Sequence, residues 1–167
     1  MKILSASQKI PVQWKRCLSN SANKEDLLSF LVSEWSTQTF VAVKLFDKYF
    51  FVNQEEKCYL LSSDESRQVV HAEVAALRCS HEEADSRLIV HTSHVSTTGH
   101  ETVVLRSPDT DVTVLGVAHS QDVEARIIFL TGTKQRRRYI DLTAIGRQLC
   151  HHVCQGLLAL HYLTGCD

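Results

Sequence analysis

The chain has 167 residues, of which 44% are hydrophobic, 22% charged and 7% aromatic, with a formal net charge of -1. That apolar fraction excludes an intrinsically disordered chain, and only 6 Gly and 2 Pro exclude collagen-like or low-complexity character. With 18 basic against 19 acidic residues, no global field draws the chain to nucleic acid or to a membrane surface. No stretch approaches the roughly 18 apolar residues of a membrane span. The first residues, MKILSASQKI, break their apolar run too early for a signal peptide. An intracellular chain, nuclear or cytoplasmic, is expected. Its six cysteines, at 17, 58, 79, 150, 154 and 166, are then expected as free thiols.

Residues 1–22 are polar and read as an irregular lead-in. From Asn23 the pattern turns helical: Asn23 can cap, Glu25 and Asp26 suit a first turn, and Leu27, Leu28, Phe30, Leu31 and Trp35 recur at helical spacing. Phe40–Phe46, Tyr49–Val52 and Cys58–Leu61 are short, rich in Val, Phe, Tyr and Leu, and predict strands joined near Asp47 and between Asn53 and Lys57. Residues 62–72 are polar, and 73–79 fit no one pattern. A helix is expected from about His81 to Ser96, stopped by Gly99, followed by a buried-type strand TVVLR at 102–106. Ser107-Pro108 ends that strand and an apolar helix runs from Asp109 to about His119. Ala125–Leu130 and Arg138–Ile140 predict two more strands, and Leu142–Leu149 and Val153–Leu163 two closing helices. Strands alternating with helices predict a three-layer α/β fold around a mostly parallel central sheet, one domain over 23–167. No internal repeat, P-loop or dinucleotide fingerprint is present.

Three acidic elements bear chemistry. In Ser107-Pro108-Asp109-Thr110-Asp111, two carboxylates sit just past the carboxyl end of a strand, where ligands bind in open α/β sheets. As plain structure, Asp109 would cap the helix and Asp111 favour its dipole. In Ser80-His81-Glu82-Glu83-Ala84-Asp85, Ser80 and Glu83 have capping-box spacing. Asp85 falls three and four residues before Leu88 and Ile89, on the apolar side of its helix, where a carboxylate needs a partner or a metal. The third element is Leu163-Thr164-Gly165-Cys166-Asp167, an apolar helix ending at a glycine with one acid beyond.

Taken in order, EEAD at a helix start, a strand running into SPDTDV, and a helix ending in TGCD resemble the flap-endonuclease-like branch of the PIN-like nuclease superfamily. The set is most similar to uncharacterised PIN-like proteins that accompany mobile elements in animal genomes. The resemblance implies that Glu83, Asp85, Asp109, Asp111 and Asp167 are catalytic metal ligands, with Glu82 behind them. It covers residues 80–167, with Asn23–Leu61 standing for the family's more variable upstream part. Carboxylate oxygens suit Mg²⁺ or Mn²⁺, and two such ions about 4 Å apart activate a water for phosphodiester hydrolysis. The implied partner is DNA or RNA, branched or single-stranded, and no membrane. Lys134, Arg136, Arg137 and Arg138 would hold its backbone, in binding that weakens with salt. The family also carries a metal-site Asp on its first strand and further helices beyond the last motif. Neither has an equivalent here, so the chain reads as a fragment lacking both ends of the domain.

Two other functions compete: a catalytically inactive scaffold derived from a nuclease, and a nucleic-acid-binding module that uses only the basic run 134–138. Cys150-His151-His152 and Cys154 suggest zinc, but no second ligand pair follows them. The remaining histidines, His91 among them, are expected on the surface. Trp14, Trp35, Tyr49, Phe50 and Phe51 are expected as core or strand residues rather than as a base-stacking platform.

Overall fold

The computed structural model describes residues 7–80 and 84–164. The chain divides into two compact units, Met1–Ser80 and His81–Asp167.

The first unit begins with α1 (Trp14–Leu18), so the stretch expected to be irregular carries a short helix. α2 (Ser21–Trp35) starts two residues before the expected cap. Asn20 is the cap, and its side chain accepts from the Asn23 backbone N–H. The predicted strand at Phe40–Phe46 is instead α3 (Thr39–Lys44). A short apolar run does not distinguish strand from helix. Here the buried positions, Ala42 and Leu45, are three residues apart and share one helical face. β1 (Phe50–Gln54), β2 (Lys57–Ser63) and β3 (Val69–Glu73) form an antiparallel sheet in that order. β3 lies in the stretch read as polar and patternless. Its exposed residues leave no apolar alternation to detect. A short 3-10 turn, Ala75–Leu77, ends the unit. Val32, Leu45, Val52 and Leu61 make its core. Of the aromatics expected as core or strand residues, Tyr49 is 70% exposed, while Phe50 opens β1 at 41% exposure and its ring meets Trp35 edge-on at 5.6 Å.

The second unit has α4 (Ala84–Thr97), β4 (Thr102–Arg106), α5 (Asp111–Ala118), β5 (Arg126–Gly132), β6 (Arg137–Asp141), α6 (Leu142–Gln148) and α7 (His151–Thr164). Its sheet has the order β4-β5-β6. β4 pairs with β5 in parallel, Thr102 opposite Arg126 and Arg106 opposite Leu130, while β5 and β6 are antiparallel. Beyond its first residue, Asp111, the helix α5 is apolar apart from Thr113, and it packs against α4, α6, α7 and β5. Leu105, Val112, Ile127, Phe129 and Leu142 form the core around it.

The expected mostly parallel central sheet is therefore incorrect. The described residues form two three-stranded sheets, one wholly antiparallel and one mixed. Connection length is the physical reason. Parallel neighbours need a crossover of roughly a dozen residues or more. Within either sheet, only the link 107–125, between β4 and β5, is that long. The links 55–56, 64–68 and 133–136 permit only hairpins.

Close approach of α6 to the loop after α5 requires a glycine. A Cβ on Gly146 would overlap the Ser120 hydroxyl, which is buried and donates to the Val117 carbonyl at 2.7 Å. Gly156, inside α7, has open space where a Cβ would go. Gly146→Ala is thus expected to lower stability by about 1–3 kcal/mol through overpacking. Gly156→Ala should raise it by about 0.5–1 kcal/mol through a smaller loss of chain entropy on folding. Urea unfolding of the two variants checks both signs.

Candidate functional site

The acidic loop is built by the end of β4. Pro108 has no N–H to offer a sheet ladder, so pairing stops at Arg106. The loop then folds on its own polar groups. Ser107 Oγ accepts from the Asp109 N–H at 3.0 Å, and Asp109 Oδ1 accepts from the Asp111 N–H at 3.0 Å. These are side-chain turns that stiffen an otherwise irregular segment. The helix α5 begins at Asp111, with Thr110 at its cap position and no side-chain bond from Thr110. Asp109 is therefore not the cap residue, yet its carboxylate satisfies the first helical N–H. Asp109 is exposed and Asp111 half-buried, both beyond the carboxyl end of β4.

Asp85 lies half-buried in the first turn of α4, on the same helix as Leu88, which packs on the core. Glu82, Glu83 and Asp167 lie outside the described residues. Among the described residues no three His, Cys, Asp or Glu side chains are grouped closely enough to hold a metal ion. The donor chemistry that the described part does offer is oxygen only, from Asp85, Asp109 and Asp111, which fits a hard divalent cation.

The basic run divides by position. Lys134 and Arg136 lie in the turn after β5, and Arg137 and Arg138 open β6. All four are exposed. The turn is fixed by Gly132, whose φ of 91° belongs to the left-handed region. It is fixed again by the Arg136 N–H, which bonds to the Thr133 carbonyl at 3.1 Å. A cleft of about 240 Å³ opens where β4 and β5 end, lined by Arg106, Ser107, Pro108, Leu130, Lys134 and Arg137 among others. Ser107 and Pro108 thus belong both to this cleft and to the acidic loop. Sequence reasoning missed Arg106, since a lone cation closing the strand TVVLR carries no signal until β5 is placed beside it.

Other polar groups serve the fold. Cys154 is buried and Cys150 exposed, and both are free thiols, as are Cys17, Cys58 and Cys79. Gln121 Nε2 donates to the Gly146 carbonyl at 2.6 Å and the Leu149 carbonyl at 3.3 Å, tying down the end of α6. His91, expected on the surface, is half-buried on α4. Burial pushes its pKa down, helped by the nearby His94 and Arg87. Asp141 caps α6 by accepting from the Ala144 N–H at 2.9 Å, and it pairs with Arg126 at 2.7 Å.

Comparison with protein-family models, with curated proteins and with solved structures finds no match to this chain. No helix among the described residues is long and apolar enough to cross a membrane.

The Ala144 N–H, and then Arg126, hold the Asp141 carboxyl below the usual carboxylate range. A carboxyl depressed in the folded state stabilises the fold above its unfolded pKa, and that stability is lost as pH falls through the folded value. Asp141→Asn should therefore melt at a lower temperature than the parent at pH 7, and the gap should narrow steadily on acidification below about pH 4. Thermal unfolding at a series of pH values measures it. A constant gap would mean that the carboxylate charge contributes nothing.

Proposed function

We propose that the second unit is a nuclease-like unit of PIN-like ancestry that acts on nucleic-acid phosphodiester bonds through a carboxylate-held Mg²⁺ or Mn²⁺. One observation carries the reading: two carboxylates, Asp109 and Asp111, stand on a stiffened loop at the carboxyl end of β4, and that same loop borders a cationic cleft. A metal held there inverts the local charge, so acidic residues beside a phosphate-bearing substrate cease to repel it.

Asp109 and Asp111 would hold the cation, with Asp85, Glu83 and Asp167 completing the set that the resemblance implies. When bound, a divalent ion supplies Lewis-acid stabilisation of the phosphoryl oxygens. The chain's own residues do the rest. The Ser107 turn fixes the Asp109 backbone and the bond from the Asp111 N–H orients the Asp109 carboxylate, and the cations at the β4 and β5 ends would attract the backbone of a DNA or RNA strand.

The test separates this reading from the scaffold and from the plain binder. Thermal unfolding of the chain is followed against Mn²⁺, beside the variant carrying Asp109→Asn and Asp111→Asn. At about 100 times its dissociation constant a bound ion stabilises the folded state by roughly 2.7 kcal/mol. The parent is expected to shift to higher temperature and the double variant to stay in place. Equal responses, or none, would count against a metal site at this loop.

A further inference from the structure

We propose that the cleft at the ends of β4 and β5 is a phosphate subsite, formed by Arg106, Lys134 and Arg137, that engages a phosphoryl group of a nucleic-acid strand without help from metal. The naming of nucleic acid as the source rests on the function proposed above. The anion site itself stands on the cleft alone.

Three cations line one concave space of about 240 Å³, below the roughly 300–1,000 Å³ usual for drug-sized ligands, so it suits a small charged group. No carboxylate is among the lining residues, and none of the three cations forms an ion pair with a described acid. Elsewhere in the same sheet, Arg126 is neutralised by Asp141. The concentration of positive charge at one end is therefore local.

Ser107, Thr131 and Thr133 bring hydroxyl groups to the same walls. Two guanidinium groups present paired N–H donors that match phosphate oxygens, and hydroxyls can serve the remaining oxygen. Thr133 is oriented by the hairpin, its Oγ1 accepting from the Arg136 N–H at 3.3 Å. The hairpin itself depends on Gly132, where a Cβ would overlap the Arg136 carbonyl oxygen.

The cleft also selects within the basic run. Successive side chains on a strand point to opposite faces. Arg137 faces the cleft, whereas Arg138 follows it on β6 and Arg136 precedes it in the turn, and neither lines the cleft. Four basic positions that are equivalent in sequence are unequal in the fold. The pairing of β4 with β5 recruits Arg106 from 31 positions before Arg137.

The experiment is fluorescence anisotropy of the full chain with a short labelled single-stranded oligonucleotide, bearing either a 5′-phosphate or a 5′-hydroxyl, in EDTA. Three proteins are compared: the parent, Arg106→Gln with Arg137→Gln, and Arg136→Gln with Arg138→Gln. All four positions are exposed, and matching melting temperatures confirm that each variant is folded. The cleft variant is expected to lose affinity by roughly tenfold or more, and the other pair by much less. Its salt slope should fall by about 0.7 for each phosphate that the variant no longer neutralises. Inorganic phosphate should displace the oligonucleotide from the parent.

A weakening confined to the 5′-phosphorylated oligonucleotide assigns a terminal phosphate to the cleft, and an equal weakening for both assigns an internal phosphodiester. Equal weakening in the two variants, or no binding by the parent, would overturn the subsite. Because EDTA removes any role for a metal, this result is independent of whether Mn²⁺ stabilises the chain. A phosphate subsite can stand where the nuclease reading fails, and the reverse also holds.

Discussion

The parallel pairing of β4 with β5 is the constraint on which the second unit depends. A parallel pair cannot be closed by a tight turn, so the chain must leave β4, cross the sheet and return. That return is α5, a helix with no polar face, which is stable only because α4, α6, α7 and β5 cover it. The loop that launches α5 must then lie outside the end of β4. Asp109 and Asp111 are placed there by that requirement, whatever else they do. The antiparallel return of β6 brings Arg137 to the same end of the sheet, opposite Gly132.

Charge along β5 is arranged unequally. At its start, Arg126 meets Asp141, which also caps α6, so one carboxylate joins sheet to helix and leaves no net charge. The backbone N–H groups there are satisfied by buried hydroxyls: Ser96 receives Ala125 at 3.0 Å and Thr143 receives Ile127 at 2.8 Å. Such groups would be costly if left unpaired. At the other end of the strand the cleft's cations have no acidic partner among the described residues, and the acidic loop borders them. At one end of the sheet Arg126 is paired and the backbone groups are hydrogen-bonded, while at the other end Arg106, Lys134 and Arg137 are exposed.

Much of the second unit was legible because its signals are local. TVVLR at 102–106 is β4, Pro108 and Gly99 mark its surroundings, and ARIIFL falls almost wholly within β5. Phe40–Phe46 misled because a β-rich composition over seven residues does not reveal which positions are buried, and Ala42 with Leu45 decide for a helix. The sheet type failed for a different reason. Alternating elements suggested crossovers, while the short links at 55–56 and 133–136 already forbade them. Arg106 was invisible because its significance is created by a neighbour 24 positions later, Leu130, in the register of β4 on β5. Asp109 shows both readings at once, since one oxygen serves the Asp111 N–H as a cap would and the residue remains exposed.

If the loop 107–111 binds a divalent cation beside a phosphate-holding cleft, as proposed, amide NMR with trace Mn²⁺ will locate the ion there. A paramagnetic ion broadens the signals of nearby nuclei, so it reports location and not only binding. Broadening is expected first at Asp109, Thr110 and Asp111, and next at the neighbouring cleft residues from Thr131 to Lys134. Broadening centred on His151 and His152, or spread evenly over exposed acids in both units, would contradict it.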